Sequence, residues 1–225
     1  MVPPPAGTTG GDRAIRCECV HAIRARALLQ AAQIPPRYDH CTLENFDLPP
    51  GARELHLAHR IATAYSRDYP GLVDRDRSGI FFFGSVGTGK THLSVAIARQ
   101  LLERGIACRF ADYRQLLKDI QATYDPTNPA TEASVVRPLL DVEVLVLDDL
   151  GVGRATEWAL ETLHYILNHR YSHRLATIVT SNLDEGDALE QGLGARLRSR
   201  LHEMCVLVAM HGSDFRKTTA TPVVR

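Results

Sequence analysis

The chain has 225 residues, enough for one α/β domain with an accessory segment and too few for two large domains. Lys plus Arg and Asp plus Glu both number 26, so nucleic-acid binding cannot be argued from overall charge and would need a local basic patch. No apolar run approaches the roughly 18 residues of a membrane span, and residues 1–5 lack the features of a secretory signal. The five cysteines form no disulfide-like framework. These features predict a soluble, cytoplasmic protein with no membrane partner.

Two helices are predicted ahead of the first strand. Residues 1–12 are rich in Pro, Gly and Thr and are predicted to be disordered, and a basic, Ala-rich helix is predicted over 14–33. An extended connector is expected over 34–47. After a Pro-Pro-Gly break, apolar residues at helical spacing predict an amphipathic helix that ends before Pro70; these residues are Leu55, Ala58, Ile61, Ala62 and Tyr65.

The rest of the chain alternates strand and helix patterns. Short apolar runs predict strands over 80–83, 107–111, 142–147, 177–180 and 206–210. Helices are predicted over 93–104, 113–124, 135–140, 156–171 and 188–204, the last one broken at 192–194. Asp112 is expected to cap the second of these helices, with Gln115 as its capping-box partner. This alternation predicts an α/β fold with a mostly parallel five-stranded sheet sandwiched by helices.

The segment 84–91 reads G-S-V-G-T-G-K-T and fits the phosphate-loop pattern G-x-x-x-x-G-K-[ST] at every fixed position. Its glycines let consecutive backbone N–H groups wrap a phosphate chain, Lys90 brings a positive charge, and the Thr91 hydroxyl can ligate Mg²⁺. A glycine-rich turn without a ligand would not require the Lys-Thr pair. The predicted nucleotide-binding residues are Gly84, Ser85, Val86, Gly87, Thr88, Gly89, Lys90 and Thr91, with the adjacent His92 included although packing is its expected role.

Polar residues at the ends of two later strands predict the second half of the site. Asp148 and Asp149 end an apolar strand whose carboxyl end should open beside the phosphate loop. Asp148 would hold Mg²⁺ through water, and Asp149 would polarise the attacking water; solvated acids capping a strand are the alternative. Asn182 follows the next strand and could hydrogen-bond both the lytic water and the γ-phosphate, with a simple turn residue as the alternative. In the Arg-dense segment 196–200, an arginine could reach a neighbouring subunit's γ-phosphate or the segment could be a solvated basic face.

Six ordered motifs within 34–217 resemble the AAA+ ATPases of the DnaC/IstB group, which are replicative helicase loaders and transposition helpers. The motifs are G-S-V-G-T-G-K-T, L-V-L-D-D-L-G, T-E-W-A-L-E-T-L, I-V-T-S-N-L, L-R-S-R-L-H-E-M and G-S-D-F-R. The resemblance implies a P-loop AAA+ (ASCE) fold without the usual C-terminal helical lid, and an ATP-dependent homo-oligomer with Mg²⁺ and ATP between subunits. Asp149 stands where such ATPases usually have the longer Glu, which predicts slow turnover.

The same resemblance assigns roles by position. Asn182 matches sensor I, Arg200 matches the arginine finger that acts in trans, with Arg196 one turn earlier, and Arg216 matches the sensor II arginine. It divides the chain into an N-terminal tail, basic helix and linker over 1–48, which would be a remnant of a partner-binding module, an ATPase domain over 49–217, and a tail over 218–225.

The N-terminal segment is similar to that of DnaC-like loaders, many of which have an upstream C-x-x-C pair that completes a zinc site. That pair is absent here. Cys17, Cys19, His21 and Cys41 could supply four ligands by type, but C-x-C-x-H is not a strong zinc spacing. Zinc is therefore not expected, and this departure also weakens the expectation of helicase docking.

The sequence leaves three functions open. The first is a DnaC-like loader that hydrolyses ATP slowly, with stimulation by DNA or partner, and places a DnaB-type replicative helicase on single-stranded DNA. The second is an IstB-like transposition helper on duplex DNA, and the third a nucleotide or small-molecule kinase, which leaves Asn182 and Arg200 unexplained. Candidate DNA contacts are Arg114, Lys118 and the loop 123–133, with an aromatic such as Tyr113 or Tyr124 to stack on a base; ordinary surface is the alternative.

Overall fold

The computed structural model describes residues 18–71, 77–151, 156–183 and 192–215, with side chains from residue 25 onward. Within these ranges five strands form one sheet, all paired in parallel, in the order β2-β3-β4-β1-β5. The strands are β1 (Gly79–Phe83), β2 (Cys108–Asp112), β3 (Val144–Leu150), β4 (Ala176–Ser181) and β5 (Cys205–Ala209). The predicted parallel five-stranded sheet is confirmed, with strand ends that differ from the predicted ones by up to three residues.

Helices cover both faces of the sheet. They are α1 (Glu18–Ala31), α2 (Arg53–Asp68), α3 (Lys90–Glu103), α4 (Tyr113–Ala122), α5 (Glu132–Asp141), α6 (Glu157–Ser172) and α7 (Ala195–Met204), with a 3-10 turn at Pro36–Tyr38. Because successive strand residues point to opposite faces, Ile80 and Phe82 pack in one apolar cluster with α2 and α3, while Phe81 and Phe83 pack in a second one with α4 to α7.

Side-chain caps explain where several helices begin. The Asp112 carboxylate accepts the backbone N–H of Gln115 (2.8 Å), as predicted, but the Gln115 side chain donates to Asp119 (2.7 Å) and so does not complete the expected capping box. A reciprocal capping box does form between Thr131 and Ser134 at the start of α5, which therefore begins three residues before its predicted start.

The connector 34–47 is not the extended segment that was predicted. Leu43 and Phe46 are buried in the same apolar cluster as α2 and α3. The connector is also held by two ring nitrogens, His59 Nε2 to the Leu43 carbonyl (2.8 Å) and His92 Nε2 to the Thr42 carbonyl (2.7 Å). Its apolar side chains fill the gap between the two helices, so the connector packs as part of the core.

The strand order matters most for the site. β4 lies between β1 and β3, and its last residue, Ser181, pairs with Phe83 on one side and Leu150 on the other. The carboxyl ends of parallel strands meet at one edge of a sheet. The end of β4 is therefore placed between the phosphate loop after β1 and the carboxylates of β3.

Several expectations fall outside the described residues. These are the tail 1–12, Cys17, Arg216, the tail 218–225 and the absence of a C-terminal lid, and the side chains of Cys19 and His21 are likewise outside. Among the helices that are described, none has the length and apolar character needed to cross a membrane.

Candidate nucleotide-binding site

The loop 84–89 connects β1 to α3 with backbone conformations that require glycine. Gly87 and Gly89 have φ values of 79° and 90°, in the left-handed region that other residues rarely adopt. A Cβ atom on Gly87 would overlap the Asp214 carboxylate, and one on Gly89 would lie 2.5 Å from the Phe46 ring. The loop is thus held between the connector on one side and the segment after β5 on the other.

Lys90, the first residue of α3, lies across this loop. Its ammonium donates to the carbonyls of Gly84 (2.9 Å) and Ser85 (2.6 Å), and the residue is only 6% exposed. The N-terminal end of α3 lies at the same point, so its unpaired N–H groups add positive potential to that of the ammonium. A chain of phosphates is the ligand that a lysine ammonium beside a helix N-terminus suits.

Thr91 and Asp148 are brought together from two different elements. The Thr91 hydroxyl donates to Asp148 Oδ1 (2.9 Å), and the Thr180 hydroxyl donates to the same oxygen (2.6 Å). The Asp149 backbone N–H in turn donates to Thr180 Oγ1 (2.9 Å). A hydroxyl and a carboxylate side by side are oxygen ligands of the kind that Mg²⁺ takes, so the donor set fits the expected ion.

Thr180 was not among the predicted site residues. It is the last residue of the predicted strand 177–180, and it is only 2% exposed. The sequence did offer one signal for Thr180, a hydroxyl in a strand that was predicted to be buried. A buried hydroxyl needs a hydrogen-bond partner. The structure makes Asp148 that partner.

Asp149 and Asn182 also meet, through an irregularity in β3. The register between β3 and β4 shifts between Leu147 and Leu150, and Asp149 adopts a φ of 62°, which is uncommon for a residue other than glycine. Asn182 Nδ2 donates to Asp149 Oδ1 (2.6 Å). Strained backbone of this kind is concentrated at functional sites, where it re-aims a side chain.

Replacing Asp148 with Asn is expected to stabilise the nucleotide-free protein at neutral pH. Burial raises the pKa of the Asp148 carboxyl, hydrogen bonds from Thr180 and Thr91 oppose the shift, and the charges of Asp149 and Asp112 add to it. A carboxyl whose pKa is raised by folding loses its stabilising contribution as the pH rises through that value. The ionised Asp148 therefore destabilises the folded state, and the amide removes this effect.

Urea unfolding without nucleotide or Mg²⁺ measures the effect, and the advantage of Asp148→Asn should shrink as the pH falls through the raised pKa. Asp141→Asn is the matched control, because the Asp141 side chain is 63% exposed. An Asp148→Asn protein no more stable than the native one at neutral pH would contradict the prediction.

His92 has the packing role in the structure. Its Nε2 contacts the Thr42 carbonyl, and its ring meets the Phe46 ring edge-on at a centroid distance of 5.4 Å. Burial lowers the His92 pKa, as do the charges of His40 and His59, while the contact with Thr42 raises it. His92 thus ties the connector to the start of α3, and its inclusion among the nucleotide-binding residues has no support in these contacts.

Arg200 lies on α7, against α6. Its Nε donates to Asn168 Oδ1 (3.0 Å), its Nη1 donates to Glu203 Oε2 (2.8 Å), and its guanidinium carbon lies 3.9 Å from the centre of the Tyr171 ring. Arg196 is exposed on the same face. Both arginines border an open groove of about 530 Å³, whose lining residues are Glu161, His164, Asn168, Arg196, Ser199, Arg200 and Glu203.

The predicted sensor II residue, Arg216, follows a segment that contacts the phosphate loop. The backbone N–H of Phe215 donates to the Gly87 carbonyl (3.2 Å), and Asp214 lies against the same glycine. The described part of the G-S-D-F-R motif is therefore beside the loop, while Arg216 itself lies outside the described residues.

Some of the candidate DNA contacts are exposed and one is buried. Arg114 and Lys118 are both exposed, one turn apart on α4, and Tyr124 is 58% exposed. Tyr113 is only 4% exposed and its hydroxyl donates to the Ala159 carbonyl (3.2 Å), so the suggestion that it stacks on a base is wrong. It is buried because it starts the apolar stripe of α4.

The zinc hypothesis gains no support in the described part of the chain. Cys41 is a buried, free thiol, and the described residues contain no group of three or more His, Cys, Asp or Glu side chains placed to hold a metal ion. Cys17 and the side chains of Cys19 and His21 are not described.

Comparison with known proteins identifies the family. A model of the family described as "IstB-like ATP binding protein" matches residues 18–221. The chain belongs to the IstB-like ATP-binding family. It is 29% identical over 196 residues to the uncharacterized protein YqaM of Bacillus subtilis, covering 84% of this chain and 60% of YqaM. It is 26% identical over 180 residues to the replicative helicase loader DnaC of Buchnera aphidicola, covering 80% of this chain and 70% of that loader.

A crystal structure of the DnaC helicase loader has the same fold. It superimposes with a TM-score of 0.66 at 26% identity and covers 79% of this chain and 100% of that one. The expected membership of the DnaC/IstB group and the P-loop AAA+ fold class are thus confirmed, and ATP binding is a property of the IstB-like family. The chain spans only part of the length of YqaM and of the Buchnera DnaC.

Proposed function

We propose that this member of the IstB-like family hydrolyses ATP and uses the ATP-bound state to load a replicative DnaB-type helicase onto single-stranded DNA. The proposal of ATP hydrolysis rests on one observation, which is that the start of α3, the end of β3 and the residue after β4 are in contact at one edge of the sheet. Thr91 touches Asp148, and Asn182 touches Asp149, beside a loop whose lysine faces its own carbonyls.

Each group of residues at the site has its own role in hydrolysis. The loop N–H groups and Lys90 bind the phosphates, while Thr91 and Asp148 would hold Mg²⁺, which neutralises phosphate charge when bound. Asp149 orients and polarises the attacking water, and the Asn182 amide fixes the direction of the Asp149 carboxylate (2.6 Å). An Asp reaches less far than a Glu, so turnover should be slow.

Arg200 acts on a nucleotide bound to another subunit. Its partners Asn168 and Tyr171 lie in the last turns of α6, just before the amino end of β4 at Ala176. The phosphate loop lies at the opposite, carboxyl edge of the sheet. Arg200 therefore faces away from its own loop, and a phosphate that it touches would belong to a neighbouring copy of the chain. This geometry supports an ATP-dependent homo-oligomer.

The choice of a helicase loader rests on similarity to DnaC in sequence and structure. The exposed pair Arg114 and Lys118 gives single-stranded DNA a place to bind through its backbone, with Tyr124 nearby as a base-stacking residue. A transposition helper is the second candidate, because the matching family is named after IstB. The two differ in the DNA they should prefer.

The test is a binding experiment with the replicative helicase of the same organism, carried out with ATP and with ADP. The Asp149→Asn protein serves to hold the ATP state, because it should keep its phosphate contacts while losing hydrolysis by about 100-fold or more. We expect a complex with the helicase hexamer in ATP that is at least tenfold weaker in ADP, and a preference for single-stranded DNA. No helicase complex in either nucleotide, together with ATP-dependent assembly on duplex DNA, would favour the transposition helper.

A further inference from the structure

We propose that Asn168, Tyr171 and Glu203 are positioning residues that hold Arg200 in the orientation needed to reach a neighbour's nucleotide. We call these three residues the Arg200 clamp. The inference rests on the proposed in-trans role of Arg200 and adds the residues that make that role efficient. None of the six sequence motifs pointed to Asn168 or Tyr171, because both come from the end of α6.

The clamp contacts the guanidinium from three directions. Asn168 accepts from Nε at 3.0 Å, Glu203 accepts from Nη1 at 2.8 Å, and the Tyr171 ring lies under the guanidinium plane at 3.9 Å. Two in-plane contacts and one stacking contact together fix both the direction and the rotation of a planar cation. A side chain with four rotatable bonds is thus held in one orientation while it is still 28% exposed.

The contacts leave a phosphate-binding edge of Arg200 available. A guanidinium has five N–H donors, and the hydrogen bonds to Asn168 and Glu203 use one on Nε and one on Nη1. Nη2 has no hydrogen-bond partner among the described residues. The arginine therefore remains able to donate to an anion from the open groove while its other side is fixed.

The clamp favours positioning over permanent sequestration because its one ion pair is solvent-exposed. The Glu203 side chain is 52% exposed, so its ion pair with Arg200 is screened by water and weak. A phosphate with two negative charges can compete with it. Holding the cation in advance reduces the conformational entropy lost when the neighbour's nucleotide arrives.

The experiment measures ATP turnover at saturating protein and ATP. Tyr171→Leu and Glu203→Gln, separately and combined, should lower kcat, the double variant by about tenfold or more, since a misplaced charge near the transition state is costly. The KM for ATP should stay within about twofold, because the variants leave the phosphate loop intact. Tyr171→Phe keeps the ring and should retain native turnover. Glu161→Gln changes another carboxylate of the same groove, one that is not hydrogen-bonded or ion-paired to Arg200, and should also be native-like.

Mixing variants distinguishes a role in trans from a defect in folding. Asp149→Asn subunits should hydrolyse ATP about 100-fold or more slowly but carry an intact clamp and Arg200. Adding them to the Tyr171→Leu, Glu203→Gln protein should raise turnover well above the sum of the two proteins measured apart. Absence of rescue would show a structural role and overturn the proposal, as would native or faster turnover in the double variant.

Arg200→Ala separates failure of the clamp from failure of the proposed function. Slow turnover in Arg200→Ala with normal turnover in the clamp variants would overturn the clamp alone. Native turnover in Arg200→Ala would overturn the in-trans role and the clamp with it. Size-exclusion chromatography with light scattering on each variant in ATP shows whether a change in turnover comes from lost assembly.

Discussion

Lys90→Ala protein is expected to bind ATP 10- to 100-fold more weakly than the native protein and to show no measurable hydrolysis. Charge-assisted hydrogen bonds contribute about 1.5–3 kcal/mol each, and every 1.4 kcal/mol corresponds to a factor of ten in affinity. The loss should be larger for hydrolysis, because charge builds up on the phosphates in the transition state. Equilibrium titration with a fluorescent ATP analogue measures the first effect, and phosphate release measures the second.

Lys90 also helps to hold the loop, because its ammonium donates to the Gly84 and Ser85 carbonyls. Lys90→Met keeps the aliphatic stem and should lose affinity to a similar extent, which would assign the loss to the ammonium. Lys118→Ala, which removes an exposed lysine on α4, should bind ATP normally. Affinity within threefold of native in both Lys90 variants would contradict the assignment of this loop as the phosphate site.

Features of the site that depend on local chemistry could be predicted from the sequence. The phosphate loop and the Asp148-Asp149 pair combine a short pattern with its neighbouring strand, and a parallel sheet brings strand ends together whatever the details of packing. Asn182 follows another strand of the predicted sheet, and its contact with Asp149 depends on the observed order, in which β4 lies next to β3. The structure brings Thr91, Asp148, Asp149 and Asn182 to one edge of the sheet, as the pattern predicts.

Contacts between residues that lie far apart in the sequence were not predicted. Thr180 looked like an ordinary strand residue, because its hydrogen bond to Asp148 joins residues 32 positions apart. The partners of Arg200 on α6 have no local signal for the same reason. The burial of Tyr113 is different, because Tyr113, Leu116 and Ile120 share the i, i+3, i+7 stripe of a buried helix face and could have been read as core.

The connector shows how proline can mislead. Pro35 and Pro36 correctly predict the end of a helix, but they suggested an extended linker where the chain folds into a 3-10 turn. Leu43 and Phe46 were the opposing signal, because two large apolar side chains in a short polar stretch are costly to expose. Their burial places the connector in contact with Gly89, so α1 and the phosphate loop are joined through packed residues.

Arg170→Met is expected to lower the free energy of unfolding by about 3 kcal/mol, the largest loss of stability that we predict. Arg170 is fully buried at the end of α6, and burial lowers its pKa to about 10, so it remains charged at neutral pH. Its guanidinium donates to Thr177 Oγ1 (2.9 Å) and to a set of backbone carbonyls. These carbonyls are those of Leu139 (2.7 Å), Leu140 (3.4 Å), Val142 (2.8 Å), Glu143 (3.3 Å) and Ala176 (2.5 Å).

The carbonyl partners of Arg170 are the reason why Arg170→Met should lower the free energy of unfolding and not leave it unchanged. Replacing a buried ion pair by apolar residues is often neutral, because both partners are removed together. Apart from the Thr177 hydroxyl, the partners of Arg170 are main-chain carbonyls. Those at the end of α5 and the start of β4 stay buried when the side chain changes. A methionine fills most of the space but donates no hydrogen bond, so several carbonyls are left unsatisfied at about 1–3 kcal/mol each, offset in part by removal of the buried charge.

Urea unfolding of the nucleotide-free protein measures the loss, with Arg137→Met as the matched control. Arg137 lies on the exposed side of α5, with its side chain 80% exposed and a 3.6 Å contact to Asp141, and its replacement should change stability by less than about 0.5 kcal/mol. Arg170→Lys should fall between the two, since one ammonium can satisfy only part of the carbonyl set. A loss below about 1 kcal/mol in Arg170→Met would mean that removing the buried charge offsets the unsatisfied carbonyls, and that the capping of α5 by this arginine contributes little net stability.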